Sequence, residues 1–206
     1  MKILLFGKNG QVGWELQRSL SVLGELVALD RHSQDLCGDL ANLQGLVHTV
    51  QAVRPDLIVN AAAYTTVDNA ESEPDLARLI NATAPGVLAQ EAQKLGAWLV
   101  HYSTDYVFDG SALDPQSEEQ PTSPLGAYGA SKLAGEVLLR ESGADHLIFR
   151  TSWVYAPQGK NFPLTILRLA HERETLTVVT DQVGAPTPAS LIARVTVEAI
   201  AAAKAD

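Results

Sequence analysis

The first thirteen residues constrain the fold more than any other stretch of the chain. Residues 2–6 form a short apolar run that passes straight into Gly7-x-x-Gly10-x-x-Gly13, and an amphipathic pattern then continues to residue 20. This reads as a buried strand, a tight turn and a helix over 10–20. Glycines at such a junction let the backbone turn sharply, approach a ligand closely and seat the helix against the sheet. The same alternation recurs along the chain. Strands are expected at 26–29, 57–60, 98–102 and 147–150, with a short β-rich run at 176–179. Helices are expected at about 42–54, stopped by Pro55, at 75–95 with a break near Ala84-Pro85, at 131–140, at 162–173 and at about 188–203. Apolar strands separated by helices imply a parallel sheet covered on both faces. The predicted fold is therefore α/β, a doubly wound parallel (Rossmann) sheet, with ligands at the carboxyl ends of its strands.

Bulk properties narrow the function. At 206 residues the chain suits one domain over 1–206, with substrate-side segments around 151–190. Fifteen basic against 24 acidic residues leave a formal charge of −9. That balance argues against nucleic acid and against anionic membrane surfaces as partners, and points to a small molecule held by local donors. Cys37 is the single cysteine, so no internal disulfide forms and a reducing compartment is expected. The apolar start is too short for a signal peptide, and no apolar stretch nears the ~20 residues that span a bilayer. A cytoplasmic protein is the expectation. The histidines, cysteine and carboxylates show no metal-ligand spacing, so no metal is expected.

The glycine-rich turn points to a dinucleotide, its pyrophosphate lying on the N–H groups and positive end of the helix. Asp30, at the end of the second strand, is placed to accept hydrogen bonds from an adenosine ribose. The adjacent Arg31 could instead hold a 2′-phosphate, so NADH and NADPH both stay open. Asp39 and Leu40, just before the second helix, read either as that helix's cap or as an adenine contact. Asn60-Ala61-Ala62-Ala63 ends the third strand with side chains too small to obstruct a cofactor crossing the sheet edge. Ser103-Thr104-Asp105-Tyr106 ends the fourth with hydroxyls at the mouth of the sheet. The polar stretch 109–126 follows, where a cover over a site would sit. Beyond it Tyr128 and Lys132 lie four residues apart, on one face of a helix. An ammonium beside a phenol favours phenolate and lowers the tyrosine pKa from ~10, suiting it to exchange a proton with a hydroxyl or carbonyl oxygen. His101, mid-strand, reads as a satisfied structural group.

These residues resemble the short-chain dehydrogenase/reductase superfamily in its extended, nucleotide-sugar branch. The runs Gly7-Lys8-Asn9-Gly10-Gln11-Val12-Gly13, His101-Tyr102-Ser103-Thr104-Asp105-Tyr106-Val107-Phe108, Arg150-Thr151-Ser152-Trp153-Val154-Tyr155 and Asp181-Gln182-Val183-Gly184-Ala185-Pro186-Thr187 are similar to the dTDP-4-dehydrorhamnose reductase family. The resemblance implies Thr104, Tyr128 and Lys132 as the catalytic set. It implies cofactor contacts at Gly7, Gly10, Gln11, Val12, Gly13, Asp30, Asp39, Leu40, Ala63, Tyr64 and Thr65, and at Tyr128 and Lys132. Substrate contacts would fall on Thr104, Asp105, Tyr106, Tyr128 and Trp153, the tryptophan offering an apolar wall or, alternatively, core packing. The implied reaction is NADPH- or NADH-dependent reduction of the C4 ketone of a dTDP-deoxyhexulose to dTDP-L-rhamnose. Members of the family continue past the last helix, so a C-terminal part that helps close the sugar-nucleotide site and a homodimer is expected to be largely missing. Dehydratases of the branch carry a glutamate after the threonine-aspartate pair; Tyr106 stands there, which favours net reduction. An epimerase of the same branch and a non-catalytic nucleotide-binding regulatory subunit are the rival readings.

Overall fold

The computed structural model describes residues 1–112 and 114–203. Five parallel strands form its central sheet: β1 (Lys2–Phe6), β2 (Glu25–Leu29), β3 (Leu57–Asn60), β4 (Trp98–Thr104) and β5 (His146–Thr151), in the order β2-β1-β3-β4-β5. The chain leaves β1 toward one edge and returns to its other side at β3. That reversal opens a crevice at the carboxyl ends of β1 and β3. Successive strand side chains point to opposite faces, and the core splits accordingly. Ile3 and Leu5 of β1 face α1 (Gln11–Leu20) and α8 (Ala189–Ala203), while Leu4 and Phe6 face α2 (Leu43–Val53) and α5 (Ala84–Leu95). Leu16 and Leu20, one turn apart on α1, are fully buried, whereas Trp14 on its other side is exposed. Strand β4 extends two residues beyond the expected end, so Ser103 and Thr104 belong to it.

Helix boundaries follow local chemistry. In α2 the Asn42 side chain accepts from the Gly45 amide at 3.0 Å, and the helix stops where Arg54 turns left-handed (φ 50°) before Pro55. The expected break near Pro85 is a widened π turn over Leu79–Thr83, preceded by α4 (Pro74–Arg78) and the short α3 (Val67–Ser72). Pro85 has no N–H to give the Asn81 carbonyl four residues back. That carbonyl instead faces Gly135 of α6 (Ala127–Glu141), where a Cβ would come within 2.2 Å of it.

One expectation is corrected and two details are added. Residues 176–179 form no strand: Val178 and Val179 are exposed, and no neighbouring edge pairs with them among the described residues. Coverage of the sheet is uneven, because β5, at the edge, is only half-buried along its whole length. A further pair of short parallel strands, β6 (Val154–Tyr155) and β7 (Thr187–Pro188), draws the ends of the 154–188 segment together around α7 (Phe162–Glu172). Two-residue strands carry too little periodicity to be read from sequence. No helix among the described residues is long and apolar enough to cross a membrane.

Candidate active site

The glycine-rich turn separates what the fold needs from what a ligand needs. Gly7 has φ 86°, and a Cβ there would lie 2.7 Å from the Ala62 amide nitrogen; one on Gly13 would lie 2.0 Å from the Gly7 carbonyl oxygen. Both are therefore required by the chain's own packing. Gly10 is not: its nearest neighbour to a Cβ would be the Gly7 oxygen at 3.4 Å, an ordinary contact. It is exposed at the head of α1, whose first turn no side chain caps. Free N–H groups and an open backbone face make a cradle that fits a pyrophosphate. Val12 packs into the core beneath it. The Gln11 side chain turns away, accepting from Asn161 at 2.8 Å and donating toward the Val154 and Lys160 carbonyls at 3.4 Å. This leaves the Gln11 backbone for a ligand and ties the turn to the start of α7.

Asp30 follows β2 directly. Its carboxylate accepts from the Asn9 side chain and, at 2.8 Å, from the His32 amide, which holds it below the usual carboxylate range. Arg31 is exposed beside it and bonds His32 at 3.1 Å. Asp39 does not cap α2, since Asn42 does; it accepts from the Ala41 amide at 3.0 Å instead, and Leu40 is buried in the core. Ala61, Ala62 and Ala63 run past the Gly7 turn half-buried. Tyr64 is pinned through its backbone to Asn81, which accepts from the Tyr64 amide at 2.8 Å and donates to its carbonyl at 3.0 Å. Thr65 is exposed. Asn81 also donates to Ser131 Oγ at 3.0 Å, tying the path after β3 to α6. The sequence reading missed Asn81, because its role depends on the π turn that aims it.

At the carboxyl end of β4, Thr104 and Tyr128 come together. Tyr128 sits in the first turn of α6, and its ring meets Tyr106 edge-on at 5.6 Å between centroids. Burial pushes its phenol up to about 12; the nearby Thr104 hydroxyl pulls downward, and Asp105 and Tyr106 add to the rise. Lys132 lies on the same helical face but is turned away, donating to the Tyr102 carbonyl at 2.6 Å and meeting His101 Nε2 at 3.2 Å. The expected ammonium-acidified phenol is thus overturned: desolvation dominates, and the amine is spent on β4. The lysine is itself buried and drawn down to about 8, with Glu136 one turn along working the other way. His101 makes both of its ring contacts within the protein, as its structural reading implied.

The two hydroxyls expected at the sheet mouth are both buried and part company: Ser103 lies toward the Glu136 carboxylate and Thr104 toward Tyr128. Asp105 is oriented by Ser152, whose hydroxyl donates to it at 2.7 Å, and by Thr104 at 3.1 Å. Trp153 is left-handed at φ 44° and nearly half-exposed, its ring against Gly184. A core-packing role does not suit that exposure. Strain of this kind in a non-glycine residue fits a side chain held for contact with a ligand.

The comparisons with known proteins agree with this fold. The family model described as RmlD substrate binding domain matches residues 1–206. The dTDP-4-dehydrorhamnose reductase of Salmonella typhimurium is 60% identical over 200 residues, 97% of this chain and 67% of the relative. A crystal structure of a dTDP-4-dehydrorhamnose reductase from Clostridium acetobutylicum superposes with a TM-score of 0.91 at 39% identity, covering 97% of this chain and 70% of the other. One from Bacillus anthracis in complex with NADP gives 0.90 at 39% identity, with the same coverage. Strand order, glycine cradle, Thr104–Tyr128 pair and these matches converge: the chain belongs to the RmlD substrate binding domain family, that of the dTDP-4-dehydrorhamnose reductases.

Proposed function

We propose that the chain catalyses NAD(P)H-dependent reduction of the C4 ketone of dTDP-4-dehydro-6-deoxy-L-mannose to dTDP-L-rhamnose. The observation that carries this reading is the meeting of the Thr104 hydroxyl with a protonated Tyr128 phenol at the ligand-facing end of the sheet that bears the Gly10 cradle. When bound, the reduced nicotinamide supplies the hydride. The backbone of Gly10, Gln11 and Val12 would hold its pyrophosphate, Asp30 its adenosine ribose, and the stretch from Ala61 to Thr65 would line its path.

Charge grows on the ketone oxygen as the carbonyl is reduced, and the chain's residues answer that charge. Tyr128 is a phenol at neutral pH, and burial disfavours its anion further. It therefore carries the proton that the new alkoxide needs. Thr104 hydrogen-bonds the same oxygen and holds it in line. Asp105, fixed by Ser152, and Trp153 would orient the sugar, with Tyr106 beside them. One hydride and one proton convert ketone to secondary alcohol, and nothing in this set supplies the second carboxyl that elimination of water uses.

The assay follows the near-ultraviolet absorbance of NADPH and, separately, NADH with the dTDP-4-keto-6-deoxy-L-hexose. Stoichiometric loss of the reduced cofactor is expected, and turnover of sugar without cofactor consumption would assign an epimerase instead. Tyr128→Phe should bind cofactor normally while kcat falls by about 10²–10⁴-fold. A kcat left intact would remove Tyr128 from the acid role. The proposal includes a homodimer, which light scattering of the purified chain tests directly.

A further inference from the structure

A buried chain of hydrogen bonds runs behind the proposed site, from the end of β3 through β4 to α6. The Ala62 amide donates to Asn60 Oδ1 at 3.2 Å, which fixes which way the Asn60 amide faces. Its Nδ2 then lies 3.2 Å from His101 Nδ1, and His101 Nε2 lies 3.2 Å from Lys132 Nζ. Asn60, His101 and Lys132 are all at least 98% buried, with 1%, 1% and 2% exposure, so water offers no alternative partners. The donor inventory admits one arrangement. Asn60 Nδ2 can only donate, so His101 Nδ1 must accept; a neutral imidazole accepting at Nδ1 carries its hydrogen on Nε2. Burial and the neighbouring lysine keep His101 neutral, well below its ordinary titration range.

We infer that His101 is a positioning residue for Lys132: held by Asn60 as the Nε2–H tautomer, it donates to Nζ and holds the lysine against β4 only as the neutral amine. An ammonium at Nζ would meet an N–H instead of a lone pair, so protonation breaks this contact and leaves Nζ held to the strand by the Tyr102 carbonyl alone. Glu136, paired with Arg150, is the charged group on α6 that favours the ammonium, and Tyr128 lies one turn back. This rests on the reductase reading only for its consequence in turnover; the tautomer itself does not.

Long-range 1H–15N spectra of the cofactor-free protein labelled in histidine read the tautomer directly. Nε2–H is expected for His101 in the wild type, and Nδ1–H there overturns the inference. Asn60→Asp keeps an acceptor for Ala62 and offers a second to His101, so it should switch the ring to Nδ1–H. The alkaline limb of kcat/KM should then move up by about one pH unit or more, since Nε2 now accepts from the ammonium. An unswitched ring overturns the inference even if the limb moves, because the added carboxylate alone would do that. A switched ring with an unmoved limb overturns the positioning role. Should Asn60→Asp not fold, the wild-type spectrum still decides. An Nε2–H ring in a protein with no reductase activity would count against the proposed reaction and leave the tautomer standing.

Discussion

Replacing Lys132 by Met tests the balance of forces at the site by a route that needs no substrate. Met matches the length of the lysine stem and carries no charge. Burial lowers the Lys132 amine from a lysine's ordinary 10.5 to about 8. Each tenfold change in proton affinity is worth about 1.4 kcal/mol, so holding the charged amine costs the folded protein about 3 kcal/mol. The sign follows from where each state releases its proton. Below about pH 8 both folded and unfolded chains are protonated and the whole cost is present. Between about 8 and 10.5 the folded chain sheds the proton first, so wild-type stability rises relative to the methionine variant. From about pH 7 to about pH 9 the gap should move by roughly 1.4 kcal/mol in favour of the wild type. Loss of the bonds to Tyr102 and His101 offsets part of the variant's gain, and whatever part of that loss depends on protonation is already contained in the amine's lowered pKa, so the expected change with pH stands. Urea unfolding of both proteins at the two pH values gives the number, as a relative midpoint shift of roughly half a molar. A wild-type-to-variant difference that stays constant would mean that the amine is not held in a dry site, and the reasoning would fail.

The glycines should separate by role. Gly10→Ala should fold with stability close to wild type and bind NADPH more weakly, read by fluorescence titration of the cofactor. Gly7→Ala, by contrast, strains a φ of 86° against the Ala61–Ala62 backbone and should lose about 1–3 kcal/mol in urea unfolding before any binding is measured. Glu136 is fully buried, with Arg150 paired to both of its oxygens at 2.9 and 2.7 Å and Arg140 at 2.8 Å. Glu136→Gln should therefore destabilise by about 3–5 kcal/mol at neutral pH. Its carboxyl is held below its ordinary pKa in the fold, so the wild-type advantage should be whole above the unfolded value and shrink as pH falls through the carboxylate range. Trp153→Ala should raise KM for the nucleotide sugar and leave thermal unfolding nearly unchanged, since nearly half of the side chain is exposed.

Local pattern was enough for much of this protein. Apolar runs of four to seven residues became strands, and glycines spaced by three marked the turn that opens the cradle. Tyr128 and Lys132 share a face because helical geometry places residues four apart together. Thr104 could be read beside them, since a strand that ends in a polar cluster exposes it to whatever binds there. Expectations that looked only one step further failed. Asp39 was a plausible cap until Asn42, three residues on, took the Gly45 amide. The valines at 178 and 179 had strand chemistry and no neighbouring edge among the described residues. A short polar side chain and a β-branched pair each answer to partners that spacing does not name.

The sequence by itself determined the order of the five sheet strands, the glycine turn and which side chains are proposed to react, because each depends on neighbours within a few residues. Tertiary structure decided how those side chains behave. It set Tyr128, partly buried, beside Thr104, so the phenol's pKa rises rather than falls, and it turned Lys132 onto Tyr102 and His101 of a strand some thirty residues away. Desolvation and hydrogen-bond polarity are properties of what surrounds a group in space, and folding alone brings Asn60, His101 and Lys132 into one line.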